Sequence, residues 1–287
     1  MNAGTARRAL VLGCARLGST LVPLDDAQSI ALLRRAWELG VRHFDTAAVY
    51  GQGDSERLLG AALGPLRRQA WIASKAGQQL RPLERLLLPL KPWLRARAAA
   101  RGGIHQTLQQ RRAQGRPQRF DAPALLRSLE ASLRRLGTDH LDLFYLHSPP
   151  PQALEDPALW SALERARVDG KFACLGVSCD TIETAEAALR QPTVQALQIE
   201  PDASSRCAAV LGEAERRGLA VYVRGASRTG DGSSSRLVEA LRAQLRLPAV
   251  AGVLMGTTRL DHLEQNVAAF RRADGAPRPA VVPRSFA

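Results

Sequence analysis

Short apolar runs rich in β-branched residues recur along this chain, and each is followed by a longer stretch whose apolar positions fall at helical spacing. In order, the runs predict strands at Ala9 to Gly13, Arg42 to Asp45, Trp71 to Lys75, Leu141 to His147, Cys174 to Ser178, Ala196 to Glu200, Ala220 to Arg224 and Gly252 to Gly256. A strand followed by a helix, repeated, is the pattern of parallel strands joined by crossovers, because a parallel neighbour is reached only after a return along the sheet.

The helical stretches carry their own start and stop signals. Asp25 caps DDAQSIALLRRAWEL before Gly40, and Asp121 with Pro123 opens DAPALLRSLEASLRRL before Gly137. Asp156-Pro157 opens a helix ending near Gly170, Asp180 opens one running through Arg190, and Asp261 opens the last long helix. The first strand leads into GCARLGST, which is neither a G-x-G-x-x-G loop nor a phosphate-binding loop with lysine. Eight such units close more naturally into a barrel than into an open dinucleotide-binding sheet. The expected fold is an α/β (β/α)8 TIM barrel, one domain over residues 1–287, with a basic insertion at about 76–120 after strand three.

Composition changes this picture little. Hydrophobic residues make up 45% and charged residues 23%, as in soluble globular proteins, and no apolar run reaches the roughly 18 to 20 residues that cross a bilayer. The apolar stretch in MNAGTARRALVLG is too short for a signal-peptide core, so the expected location is cytoplasmic. Cys14, Cys174, Cys179 and Cys207 form no C-x-x-C pair and have no histidines at ligand spacing, which leaves reduced thiols and no metal site as the expectation.

Charge changes it more. The net charge is +13, and between Arg81 and Arg119 nine arginines and one lysine face the single acid Glu84. Leu86, Leu87, Leu88, Leu90, Trp93 and Leu94 interleave with these residues, as in an amphipathic element. A solvated cap over one end of the fold is favoured over docking on an anionic membrane surface. Nucleic acid is not expected as a partner, since no recognition helix, zinc finger or aromatic platform accompanies the charge. The stretch SRTGDGSSS at 227–235 reads as a flexible loop.

In a barrel the chemistry sits at the C-terminal strand ends. Strand two ends in HFDTAAVYG, strand three in IASKAG and strand four in LFYLHSP, so Asp45, Tyr50, Lys75 and His147 converge on one mouth. The set is chemically coherent for hydride reduction of a carbonyl. A phenol of pKa about 10 is a weak acid unless a cation stabilises its phenolate, and Lys75 is placed to be that cation. Asp45 would hold Lys75 ionised, and His147 would orient the carbonyl oxygen or share in proton transfer.

The phrases GVRHFDTAAVYGQGDSERLLGAAL, IASKAG, SLEASLRRLGTDHLDLFYLHSP, DGKFACLGVS and GTTRLDHLEQN resemble the aldo-keto reductase family from Leu10 to about Phe270. The resemblance implies that Asp45, Tyr50, Lys75 and His147 are its catalytic tetrad, with Tyr50 as general acid. It also implies an extended nicotinamide cofactor, NADPH in preference to NADH. Ser178 and Gln198 would hold the carboxamide, and the segment opening at Gly256 would hold the adenosine end, with Thr257 and Arg259 on the 2′-phosphate and Gln265 and Asn266 near the adenine. The implied activity is reduction of a small aldehyde or ketone, or oxidation of the corresponding alcohol or sugar. The alternative is a nicotinamide-binding sensor or scaffold with little turnover. Three positions depart from the family pattern: Cys179 replaces an asparagine, Pro201-Asp202 stands where Y-N is usual, and strand seven ends in VYVRGAS. Arg224 is accordingly expected beneath the cofactor or its pyrophosphate, with Tyr222 a poor stacking aromatic if its side chain faces the helices.

Overall fold

The computed structural model describes residues 8–19, 24–86, 88–91, 115–225 and 234–275. Much of the basic insertion and most of the 227–235 loop lie outside the described residues. Eight strands form at β1 (Ala9–Gly13), β2 (His43–Asp45), β3 (Trp71–Ala76), β4 (Leu141–His147), β5 (Phe172–Ser178), β6 (Ala196–Ile199), β7 (Ala220–Val223) and β8 (Val250–Met255). Each pairs in parallel with the next, and β8 pairs back with β1, so the sheet closes into the expected (β/α)8 barrel.

The outer layer comprises α1 (Asp26–Glu38), α2 (Asp54–Leu63), α4 (Ala122–Leu136), α5 (Pro157–Val168), α6 (Ile182–Leu189), α7 (Ser205–Arg216), α8 (Ser234–Leu245) and α9 (Leu260–Asp274), with a short α3 (Pro82–Leu86) after β3. Asp25 forms a capping box with Gln28, accepting from its N–H at 2.7 Å while Gln28 Oε1 accepts from the Asp25 N–H at 3.0 Å. Asp121 and Asp156 cap α4 and α5 by accepting from Ala124 and Ala158 N–H. Two expected caps are corrected. Thr181, not Asp180, caps α6, because Asp180 is drawn to Arg224 at 2.6 Å. Arg259 is the N-cap of α9, and Asp261 lies in its first turn.

Period-two alternation sorts the strand residues into two cores. Leu12, Phe44, Ile72, Phe144, Leu146, Val177, Leu197 and Val253 face outward onto the apolar stripes of the helices. Val11, Ala73, Leu143, Tyr145, Ala196 and Tyr222 fill the barrel itself. Tyr222 therefore faces the interior, not the helices. Its ring lies 5.3 Å from that of Trp71, the first residue of β3, on the side away from the mouth.

The insertion leaves and returns at one place. Gln78 and Gln118 form an antiparallel bridge, Gln79 N–H donates to Pro117 O at 2.7 Å and Arg119 N–H donates to Gly77 O at 2.7 Å. Gly77 has φ 118°, and a Cβ there would lie 2.1 Å from the Phe120 ring, so the return path requires glycine. Among the described residues no helix is long and apolar enough to cross a membrane, and no cluster of His, Cys, Asp or Glu is arranged to hold a metal.

Candidate active site

The interior-facing register that fills the barrel with apolar side chains changes character at the mouth. Asp45 lies two residues after His43, Lys75 two after Ala73, His147 two after Tyr145, and Ser178 and Gln198 two after Gly176 and Ala196. Each is the polar end of an inward-facing row, so their convergence follows from the strand period.

At the centre, the Lys75 ammonium pairs with Asp45 Oδ1 and donates to the Thr46 carbonyl at 3.1 Å. The other Asp45 oxygen accepts from Gln198 Nε2 at 2.8 Å, and Gln198 Oε1 accepts from Ser178 Oγ at 3.1 Å. Both oxygens of a buried carboxylate are thus satisfied, as burial of an ion pair demands. Burial by itself would strip the proton from Lys75, but the charge of Asp45, with Tyr50 beside it, outweighs this and raises its pKa above that of ordinary lysine.

Tyr50 stands in the turn after β2 with its ring centroid 5.2 Å from Lys75 Nζ. Burial pushes its pKa up, Lys75 pulls it down and Asp45 pushes it up again, leaving the phenol protonated at neutral pH. His147 meets Tyr50 edge-to-face, with ring centroids 5.6 Å apart and an interplanar angle of 89°. Burial, reinforced by Lys75, Arg224 and Arg116, holds its pKa well below the usual histidine value, so the imidazole is neutral. Its Nδ1 is buried without a partner. The four side chains form one unit: a protonated acid, a fixed cation beside it, a carboxylate holding that cation, and a neutral imidazole with unused polarity.

Arg224 follows β7 and donates to Cys179 O at 2.7 Å and to Asp180 Oδ1, while its Nε is buried without a partner. Cys179, at the position usual for asparagine in the resemblance, is buried, and burial pushes its thiol pKa up. Gly256, Thr257, Arg259, Gln265 and Asn266 lie at the β8–α9 junction rather than within the cluster of Asp45, Tyr50, Lys75 and His147. Thr257 Oγ1 accepts from Arg259 N–H at 3.1 Å, and the Arg259 guanidinium clasps Asp261 at 3.0 and 2.5 Å. Arg259 and Gln265 are exposed, as is Gly256, whereas Thr257 is buried and Asn266 half-buried.

Two features had no signal in the sequence. The Gln198–Asp45 bond joins residues 153 apart. Lys91, counted in the sequence as one more basic residue of the insertion, is buried against Asp54 at 2.7 Å.

A profile of the aldo/keto reductase family matches residues 9–209. A curated relative, D-threo-aldose 1-dehydrogenase of a Pseudomonas species, is 33% identical over 201 residues, covering 69% of this chain and 57% of that protein. The chain therefore spans less than two thirds of that relative's length. A solved structure of a Pseudomonas aeruginosa protein assigned to the aldo-keto reductases superposes with TM-score 0.72 at 25% identity, covering 94% of this chain and 92% of that one. An aldo-keto reductase of Klebsiella pneumoniae solved with NADPH shares the fold, with TM-score 0.64 at 22% identity, covering 93% and 90%.

Proposed function

Because this chain belongs to the aldo/keto reductase family, we propose that it transfers hydride between NADPH and a small aldehyde or ketone, or runs the reverse oxidation of an alcohol or sugar. The observation that carries this reading is the buried unit of Asp45, Lys75, Tyr50 and His147. Its protonation states are those a carbonyl reductase requires, with the acid protonated and the adjacent amine charged.

The residues present fit a nicotinamide cofactor. His147 Nδ1 and Arg224 Nε are buried polar atoms without partners at the mouth, and unpaired buried groups of this kind favour a polar ligand. The Gln198 amide has two donor hydrogens and two acceptor lone pairs. One of each is used, by Asp45 and Ser178, leaving capacity for a carboxamide. Ser178 and Gln198 would hold the nicotinamide end and Arg224 the pyrophosphate. Gly256, Thr257, Arg259, Gln265 and Asn266 would hold the adenosine end, with Arg259 on the 2′-phosphate beside the α9 N-terminus.

Hydride is the chemistry the bound cofactor supplies. Tyr50 Oη gives its proton to the carbonyl oxygen as negative charge develops there. Lys75, kept charged by Asp45, stabilises the phenolate that remains. Neutral His147 orients the carbonyl oxygen. In the oxidative direction the same groups act in reverse, Tyr50 phenolate taking the alcohol proton.

Fluorescence titration of the purified protein with NADPH and NADH, followed by assay against small aldehydes and ketones, tests the reading. Tighter binding of NADPH with turnover is expected. Binding without turnover across carbonyl substrates and their alcohols would mark a nucleotide sensor, and failure to bind either cofactor would overturn the proposal.

A further inference from the structure

Tyr50 is followed by an unfavourable stretch of backbone. Gly51, Gln52 and Gly53 have φ of 54°, 54° and 97°, in the left-handed region that Gln52 in particular adopts reluctantly. The Gln52 side chain does not compensate, since its Oε1 is buried without a partner. Such a run persists only where its surroundings over-determine it. One restraint is local: Gly51 presses on the loop after β1, where a Cβ would lie 2.5 Å from Leu17 O.

The Asp54 N–H also donates to the Gly51 carbonyl, and a further restraint comes from the basic insertion. Lys91 Nζ donates to the Gly51 carbonyl and pairs with Asp54 Oδ2 at 2.7 Å, its side chain only 9% exposed. An ammonium is not buried in this way by incidental surface contact, because desolvation must be offset by fixed partners. At its returning end the same insertion fastens the neighbouring catalytic loop. Gln118 Nε2 donates to the carbonyl of Ser148, the residue after His147, which itself has φ 54°. The residues following Tyr50 and His147 are thus tied to one excursion of the chain, and these are the two rings that meet edge-to-face at 5.6 Å.

We propose that Lys91 and Gln118 are positioning residues which fix the Tyr50 and His147 loops relative to each other, so that the two described ends of the basic insertion clamp the catalytic pair. The inference rests on the reading of Tyr50 as the proton donor. Without Lys91 the turn relaxes, Tyr50 moves away from Lys75, and the phenol loses the cation that lowers its pKa.

The test uses the full-length variants Lys91→Ala, Lys91→Arg and Gln118→Ala. The chain has three tyrosines, and burial raises the pKa of Tyr145 and Tyr222 as well, so tyrosinate absorbance against pH, with the Tyr50→Phe difference subtracted, reads Tyr50 without any need for turnover. Lys91→Ala is expected to lower kcat by about tenfold or more while leaving the NADPH Kd within about twofold, as when geometry rather than binding is lost. It should also move the Tyr50 titration, and the pH limb of alcohol oxidation, to higher pH. Lys91→Arg should restore most of both, and Gln118→Ala should shift both in the same direction by less. Normal kcat and an unmoved Tyr50 titration in folded Lys91→Ala would overturn the proposal, even if its Tm fell. If Lys91→Ala does not fold, the same null result in Gln118→Ala overturns it. A wild-type protein without turnover would fail the proposed reaction instead, and the absorbance titration would still decide the clamp.

Discussion

Two ion pairs, one buried at the centre of the barrel mouth and one exposed at the β8–α9 junction, differ in a way that suits them to different work. Lys75 and Asp45 have side chains 0% and 4% exposed, whereas Arg259 and Asp261 are 65% and 51% exposed. The buried pair cannot change partners without stranding a charge in low dielectric, so it fixes protonation state and geometry. The exposed pair is screened by water and gives up little when one partner leaves. The proposed reaction needs the first kind, because in it the charge beside Tyr50 must be in place before proton transfer. In the proposed function the second kind suits capture of a phosphate, with Asp261 holding the Arg259 fork at the α9 N-terminus until a stronger anion takes it.

The sharpest break of this comparison is Lys75→Met. It should cost about 3–5 kcal/mol of folding stability, the usual loss when one member of a buried pair is removed and the other stays charged. Turnover should fall with it. Adding Asp45→Asn to that variant should recover part of the stability and none of the turnover, which denaturant melts and assays on folded protein would show. Equal additive losses would mean that the two charges are not coupled. Tyr50→Phe separates chemistry from stability within the same half: turnover should drop by at least about a hundredfold with the NADPH Kd nearly unchanged. Near-normal turnover would remove Tyr50 as the acid.

The exposed half should respond differently. Arg259→Ala is expected to weaken NADPH roughly ten- to a hundredfold, as for loss of a charge-assisted contact, with NADH little affected and folding unchanged. The NADPH advantage of the unaltered protein should also shrink with salt, which the buried pair would not show. Parallel loss of both cofactors would place Arg259 away from the 2′-phosphate.

How far each region was legible in the sequence follows from the same contrast. All eight strands are visible because a buried parallel strand leaves a continuous apolar signature, and Asp45, Lys75, His147, Ser178 and Gln198 stand at the polar ends of those runs. Strand edges differ by a residue or two. Arg42, Glu200, Arg224 and Gly256 fall outside the ladders, since pairing of a terminal residue depends on how far its neighbour extends. Asp180 and Thr181 are both good N-caps, and only the tertiary pull of Arg224 on Asp180 decides between them. The Gln198–Asp45 bond and the Lys91 anchor join distant parts of the chain and leave no local pattern. The strand period brings these polar ends to one mouth, whereas the contacts between distant segments leave no local signal.

The smallest expected effect concerns the basic insertion, whose charge invites a membrane. Among its described residues, however, the charges are already engaged within the chain. Arg116 pairs with Glu84, Arg119 with Asp121 and Lys91 with Asp54, while Arg85 donates to Gln79. Arg85 and Arg119 also line a cleft of about 310 Å³ with Arg127 and Arg135 of α4. Leu86 and Leu90 are exposed, at 74% and 52%, but two leucines add little to membrane affinity beside cations that, among the described residues, are engaged within the chain. Co-sedimentation with phosphatidylserine-rich vesicles should therefore recover little protein even at low salt, and deletion of residues 81–119 should impair turnover by removing Lys91 and Gln118 from the Gly51 and Ser148 carbonyls. Strong vesicle binding that falls steeply as added salt shortens the Debye length, together with normal turnover in the deletion, would make the insertion a docking element instead of part of the catalytic rim.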